Sequence, residues 1–159
     1  VAPNNALNQS FGGEGLFEGY ASLFYCSDLG GDTLMPGAFT ETLARRGAQG
    51  IRLLWQHDPA QPLGRWLSIQ EDCRGLRVRG ALNLQVQRAV ELFSLIQNRS
   101  LDGLSIGFRS EKAYRDRQTG GRRIHKLDLW EISLVTFPML PKARVLSTEQ
   151  CSKILDEKK

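Results

Sequence analysis

A chain of 159 residues with 41% hydrophobic and 24% charged side chains holds enough apolar material for one packed domain and little more, which excludes a long multidomain array. Its net charge of +4 comes from 21 Lys and Arg against 17 Asp and Glu, and no apolar run approaches the ~20 residues that a membrane helix needs. The three cysteines, Cys26, Cys73 and Cys151, are odd in number and far apart, which fits a reducing compartment rather than a disulfide framework, and no Cys/His spacing matches a zinc site.

The start, Val1-Ala2-Pro3-Asn4-Asn5, lacks the basic-then-apolar order of a signal peptide; it also lacks an initiator Met, as a processed or trimmed form would. Residues 1–15 are polar and rich in Gly and Asn, predicting a flexible arm. Leu16 to Tyr25, rich in aromatics, predicts a strand, and Cys26 to Thr33 a loop with Asp28 and Gly30-Gly31-Asp32 as turn formers. Pro36-Gly37 leads into a short helix over residues 38–46 that Gly47 stops. Ile51 to Trp55 predicts a strand and residues 58–62 a loop. Residues 63–70 and 76–84 predict a hairpin about Asp72-Cys73-Arg74-Gly75.

Val86, Ala89, Val90, Phe93 and Ile96 recur at helical spacing, predicting an amphipathic helix over residues 86–98. Residues 104–114 and 122–136 read as strands joined by a basic turn, and Pro138 and Pro141 end the second. From Val145 a short strand or helix leads into a charged tail. This gives a flexible arm (1–15), one domain (16–148) and a tail (149–159), with no repeat and no linker. Six or seven strands with two or three helices that do not alternate with them predict a mainly β (α+β) fold, a barrel or strongly curved sheet rather than a doubly wound one.

Ser105 lies in Gly103-Leu104-Ser105-Ile106-Gly107, within an otherwise apolar run. In a strand, Gly103, Ser105 and Gly107 share one face while Leu104 and Ile106 anchor the other. The flanking glycines then leave clearance for a substrate around the hydroxyl; the alternative is a glycine-rich strand passing close to another backbone. A serine hydroxyl needs an adjacent base, and the chain has two histidines. His57 follows an apolar strand and is stiffened by Pro59; taken alone, a simple strand-end or turn histidine is the favoured reading. His125 sits among cations that disfavour its protonation. Glu131, between Trp130 and Ile132, shares a strand face with Leu127, Leu129 and Val135 by simple alternation. A carboxylate there needs a partner such as an imidazole N–H, or else keeps its head in water. Asp128 and Asp58 are weaker candidates.

The five residues also match the G-x-S-x-G nucleophile elbow, but that fold orders its triad Ser, acid, His and follows the serine with a helix. Here the order is His57, Ser105, Glu131, a strand follows, and the chain is short, so the elbow is excluded. The cations Arg109, Lys112, Arg115, Arg117, Arg122, Arg123 and Lys126 cluster around Gly120-Gly121. They suit either an anionic partner such as nucleic acid, which would make this a nucleic-acid-binding barrel, or a solvated hairpin. Without an aromatic stacking series the hairpin is favoured.

Three segments together resemble the HK97-type prohead proteases of tailed phages, distant kin of the herpesvirus assemblin proteases. They are Leu53-Leu54-Trp55-Gln56-His57-Asp58-Pro59 with Pro62-Leu63-Gly64, then Leu101-Asp102-Gly103-Leu104-Ser105-Ile106-Gly107-Phe108, then Asp128-Leu129-Trp130-Glu131-Ile132-Ser133-Leu134-Val135-Thr136-Phe137-Pro138. Gly19-Tyr20-Ala21, Met35-Pro36-Gly37-Ala38-Phe39 and Gly75-Leu76-Arg77-Val78-Arg79-Gly80 extend the likeness over residues 16–146. Phage-derived gene transfer agents carry similar proteases.

The resemblance implies a closed or nearly closed β-barrel with surrounding helices and a serine endopeptidase with Ser105 as nucleophile and His57 as base. By position Glu131 is the third member, with His125 as an alternative because the assemblins use a second histidine. By weak analogy the loop Phe137 to Lys142, helped by Arg144, supplies the oxyanion site. No cofactor and no metal are implied. The implied partners are the major capsid protein with its scaffolding segment and a second copy of the chain, with self-cleavage, inside the assembling procapsid in the host cytoplasm. A membrane is not implied, and a structural capsid component with an inactive protease fold is the remaining alternative.

Overall fold

Edge-to-edge pairing of strands with one apolar face builds the architecture. The computed structural model describes residues 15–147. The expected charged tail, and all of the expected arm but Gly15, lie outside the described residues. Within them the order is β1 (Leu16–Leu23), β2 (Asp32–Leu34), α1 (Thr40–Arg46), a short 3-10 turn (Ala48–Gly50), β3 (Arg52–Trp55), β4 (Asp58–Glu71), β5 (Gly75–Leu82), α2 (Gln87–Gln97), β6 (Gly103–Arg115) and β7 (Arg122–Val135).

One curled sheet runs β1-β5-β4-β3-β7, and β6 pairs along the other edge of β7. Neighbours are antiparallel except β3 and β2, which both run parallel to β7. β1 and β6 do not pair as strands, so the strands alone form a half-barrel and not a fully closed one. Residues 143–146 span the gap, because Pro138 and Pro141 prevent β7 from continuing and the chain returns between the two free edges. Val145 N donates to Asp102 O at 2.7 Å and Leu104 N to Ala143 O at 3.0 Å on the β6 side. Leu146 N donates to Glu18 O at 2.8 Å and Tyr20 N to Arg144 O at 3.1 Å on the β1 side.

The inside of the curl holds Leu53, Leu63, Trp66, Leu76, Leu104, Leu129, Ile132 and Leu134, all at most 1% exposed. Each buried aliphatic contributes roughly 1.5–3 kcal/mol relative to exposure. α2 closes one side with Ala89, Phe93 and Ile96, as their spacing predicted, and with Leu92, while Val90, expected on the same face, is 43% exposed.

α1 occupies the stretch of β7's edge left free between β2, which pairs with residues 122–124, and β3, which pairs with residues 131–134. There Leu127 N donates to Ala38 O at 3.2 Å and Leu129 N to the Thr42 hydroxyl at 3.0 Å. The Glu71 carboxylate, at the end of β4, accepts from Gly37 N and Phe39 N, both at 2.9 Å, supplying the N-terminal cap that Phe39 cannot. Gly47, at φ 63°, ends the helix as expected.

Two segments expected as loop are strand. Residues 58–62 are not a loop but the start of β4; Pro62 pairs with Leu54 where two register shifts interrupt the ladder, and there a missing N–H is tolerated. Residues 32–33, assigned to a loop, begin the three-residue β2, whose Asp32 carboxylate takes both Nε and a terminal nitrogen of Arg122 at 2.8 Å.

Candidate active site

The β3–β4 connection is the tightest hairpin possible. Trp55 pairs with Asp58, leaving Gln56 and His57 as a two-residue turn with φ of 53° and 60°. Positive φ at both central residues marks a type I′ turn, which favours Asn-Gly. Holding two residues with side chains in this region costs of order 1–3 kcal/mol each. Hydrogen bonds to β7 offset that cost. Gln56 N donates to Leu134 O at 2.9 Å, His57 N donates to the Ser133 hydroxyl at 3.0 Å, and Gln56 Nε2 donates to the Thr136 hydroxyl at 2.9 Å. The imidazole therefore projects from a turn that tertiary contacts, rather than local preference, have fixed.

Glu131 is 9% exposed. The β6–β7 register passes from Gly107 opposite Glu131 to Phe108 opposite Leu129, so Trp130 is an extra residue, a β-bulge. The bulge resets the alternation. Glu131 therefore leaves the core face of Leu127 and Leu129, where simple alternation put it, and joins Ser133, whose Cα partner is Ser105. Its Oε1 meets His57 Nδ1, and its Oε2 accepts from the Ser133 hydroxyl at 2.6 Å. The hydrogen bond to Glu131 raises the His57 pKa above its ordinary value, while partial burial pulls against it.

Ser105 is 4% exposed. Among the described residues its hydroxyl has no hydrogen-bond partner, His57 included; such bonds often form only with substrate in place. The residue lines a cavity of about 40 Å³ with Ala21, Ser22, Leu34, Ile106, Phe108 and Leu140. The flanking glycines do not provide clearance for a substrate, as their sequence suggested. A Cβ on Gly107 would overlap the Glu131 carboxylate, and one on Gly103 would overlap Val135 O and lie 3.0 Å from Pro138 Cδ. Their missing side chains admit the carboxylate on one side and the following loop on the other.

The remaining candidates stand apart. His125 is exposed and packs edge-on against Tyr114, with ring centres 5.3 Å apart. Asp58 caps its own turn, accepting from Ala60 N at 2.8 Å. Asp128 accepts from Arg45 at 2.6 Å, from Arg46 at 2.9 and 3.0 Å and from Trp130 Nε1 at 2.8 Å; Arg46 foremost holds its carboxyl well below the usual range. The Arg144 guanidinium is committed to Asp102 Oδ1 and Pro141 O, both at 2.7 Å, and Phe137 in the neighbouring loop is 90% exposed. Several cations of the basic hairpin are already paired: Arg122 with Asp32, Arg123 with Asp116, Lys126 with Glu41 and Glu111. That favours a self-satisfied hairpin over an anion-binding one.

Sequence reasoning passed over Ser133. The signal was a single hydroxyl in the run Ile132-Ser133-Leu134-Val135, two residues beyond Glu131.

The model of the family described as caudovirus prohead serine protease matches residues 4–157. The prohead protease of Enterobacteria phage HK97 is 34% identical over 145 residues, covering 90% of this chain and 64% of that protein. The chain thus spans less than two thirds of that relative's length. Two solved structures share the fold at 12–13% identity. The T4 capsid assembly protease has a TM-score of 0.57, covering 76% of this chain and 80% of that one. The KSHV protease, in complex with a hexapeptide phosphonate inhibitor, has a TM-score of 0.55, covering 90% of this chain and 75% of that one. A family match running from residue 4 to residue 157, through every segment that carries the candidate site, means that the chain belongs to the caudovirus prohead serine protease family.

Proposed function

We propose that the chain is a serine endopeptidase in which Ser105 is the nucleophile, His57 the general base and Glu131 the group that orients it. The carrying observation is the contact of His57 Nδ1 with Glu131 Oε1, on the sheet face where Ser105 stands. With Nδ1 engaged by the carboxylate, Nε2 is the ring nitrogen left to take a proton. In this reading Nε2 takes the Ser105 proton as the oxygen attacks a peptide carbonyl, then gives it to the leaving amine. Water, deprotonated by the same nitrogen, breaks the resulting ester and regenerates the hydroxyl. Glu131 stabilises the imidazolium formed in each half. Backbone N–H groups stabilise the oxyanion, roughly 3–4 kcal/mol per donor in comparable sites. The loop 137–142, which covers Gly103, is the candidate source.

The family supports a capsid setting. In this reading the substrate is the scaffolding segment of the major capsid protein, bound extended along a sheet edge, together with the protease itself. The enzyme works as a dimer or larger oligomer within the procapsid, in the host cytoplasm, with residues 16–148 as the protease domain.

Incubation with the capsid protein, followed by mass spectrometry of new termini, tests the substrate. A peptidyl phosphonate tests the nucleophile: Ser105 is labelled in the native chain, and Ser105→Ala keeps the melting temperature but loses both labelling and cleavage. Full cleavage by Ser105→Ala refutes the assignment.

A further inference from the structure

Ser133 is fully buried, at 0% exposure, in the apolar stretch of β7. A hydroxyl buried there is costly unless bonded. It makes two bonds, and each reaches a different member of the proposed triad. It accepts from the His57 main-chain N–H at 3.0 Å and donates to Glu131 Oε2 at 2.6 Å. A serine hydroxyl has one proton and two lone pairs, so a single orientation satisfies both contacts. The His57 N–H belongs to the left-handed turn, where it has no partner of its own in the hairpin. Without Ser133 that donor loses its acceptor, and among the described residues the Glu131 carboxylate keeps only the imidazole.

We infer that Ser133 is a positioning residue for the proposed reaction, fixing His57 through its main chain and Glu131 through its second oxygen, so that base and carboxylate are aligned by one buried atom. The inference rests on the reading of Ser105, His57 and Glu131 given above. Ser133 is not a rival nucleophile, since its proton is committed to Glu131 and its oxygen is closed to solvent. Gln56 and Thr136 brace the same turn from outside, but among the described residues only Ser133 bonds to both the turn and the carboxylate.

The test is Ser133→Ala in the full chain, read by phosphonate labelling of Ser105 and by peptide kinetics. The expected result is a folded protein whose kcat falls roughly 10- to 100-fold with KM little changed, the scale of a misplaced catalytic group. In a Glu131→Gln background the same substitution costs less than about 2-fold, because residues that act as one unit are not additive. Ser133→Thr, which keeps the oxygen, recovers rate, whereas Ser133→Cys, a weak donor and acceptor, recovers less. This pair carries the comparison if alanine prevents folding. NMR reads the contact without turnover: in Ser133→Ala the His57 amide exchanges faster and its imidazole titration shifts.

Wild-type kcat in Ser133→Ala, a full additive loss in the double variant, equal rates for Thr and Cys, or an unmoved His57 amide and imidazole each overturn the inference. Failure of the native chain to label at Ser105 instead refutes the proposed function, while the two NMR readings still decide whether Ser133 holds His57.

Discussion

Gly107→Ala tests the link between a missing side chain and the candidate base. The new Cβ would lie 2.8 Å from Glu131 Cδ and 2.9 Å from its Cγ, and would overlap Oε1 outright. Ordinary carbon–carbon contact is about 3.5–4.0 Å, so the carboxylate must retreat by about 1 Å, enough to break its contact with His57 Nδ1. Such a displacement costs on the order of 100-fold in rate. Stability changes far less. The lost bond is charge-assisted, but the His57 side chain is 43% exposed and water replaces much of it. Alanine is also better than glycine in a strand interior by roughly 0.5–1 kcal/mol. The variant should therefore melt close to wild type while kcat/KM falls steeply. The pH profile supplies a second readout. The contact with Glu131 raises the His57 pKa, and in the proposed reaction the neutral imidazole is the active form, so losing the contact moves the acid limb to lower pH as the plateau drops. Peptide cleavage between about pH 5 and 9, with a thermal melt, measures both. A wild-type rate, or a low rate with an unmoved acid limb, refutes the reasoning.

Glu131→Gln should leave the fold intact and reduce kcat by up to about 10⁴-fold, the size of the corresponding aspartate-to-asparagine change in trypsin-like enzymes; single-turnover cleavage measures it. Asp128→Asn should destabilise the protein by about 1.5–3 kcal/mol in urea at pH 7, since it removes the charge that Arg46, Trp130 and Arg45 share. Because the Asp128 carboxyl is held below its ordinary value, its contribution is complete above an unfolded value of about 3.9 and lost as pH falls through the folded one. The gap between the two proteins should therefore close on acidification.

Much of the molecule was written in local patterns, and the parts that were not have a common cause. α2 follows from apolar spacing within one segment, and the Ser105 strand from alternation within another. Simple alternation puts Glu131 on the wrong face because a bulge depends on how two strands are counted against each other, and Trp130 carries no local mark of being the extra residue. The Gln56–His57 turn was unreadable for a similar reason. Neither residue favours positive φ, and the conformation is imposed by Leu134 and Ser133, nearly eighty residues away in sequence. Gly103 and Gly107 were visibly unusual, but only the structure shows that Pro138 and the Glu131 carboxylate fill the space beside them.

β7 receives β2, β3, β6 and α1 along its length, and it carries Glu131 and Ser133. It is also the last long strand among the described residues. A nascent chain that has emerged only as far as the hairpin tip already contains His57 and Ser105, yet it has no edge on which β3 and β6 can meet. The two halves of the candidate centre are united only when residue 135 has left the ribosome and β7 has docked. In the proposed reaction, translation order therefore delays assembly of the site until β7 is in place.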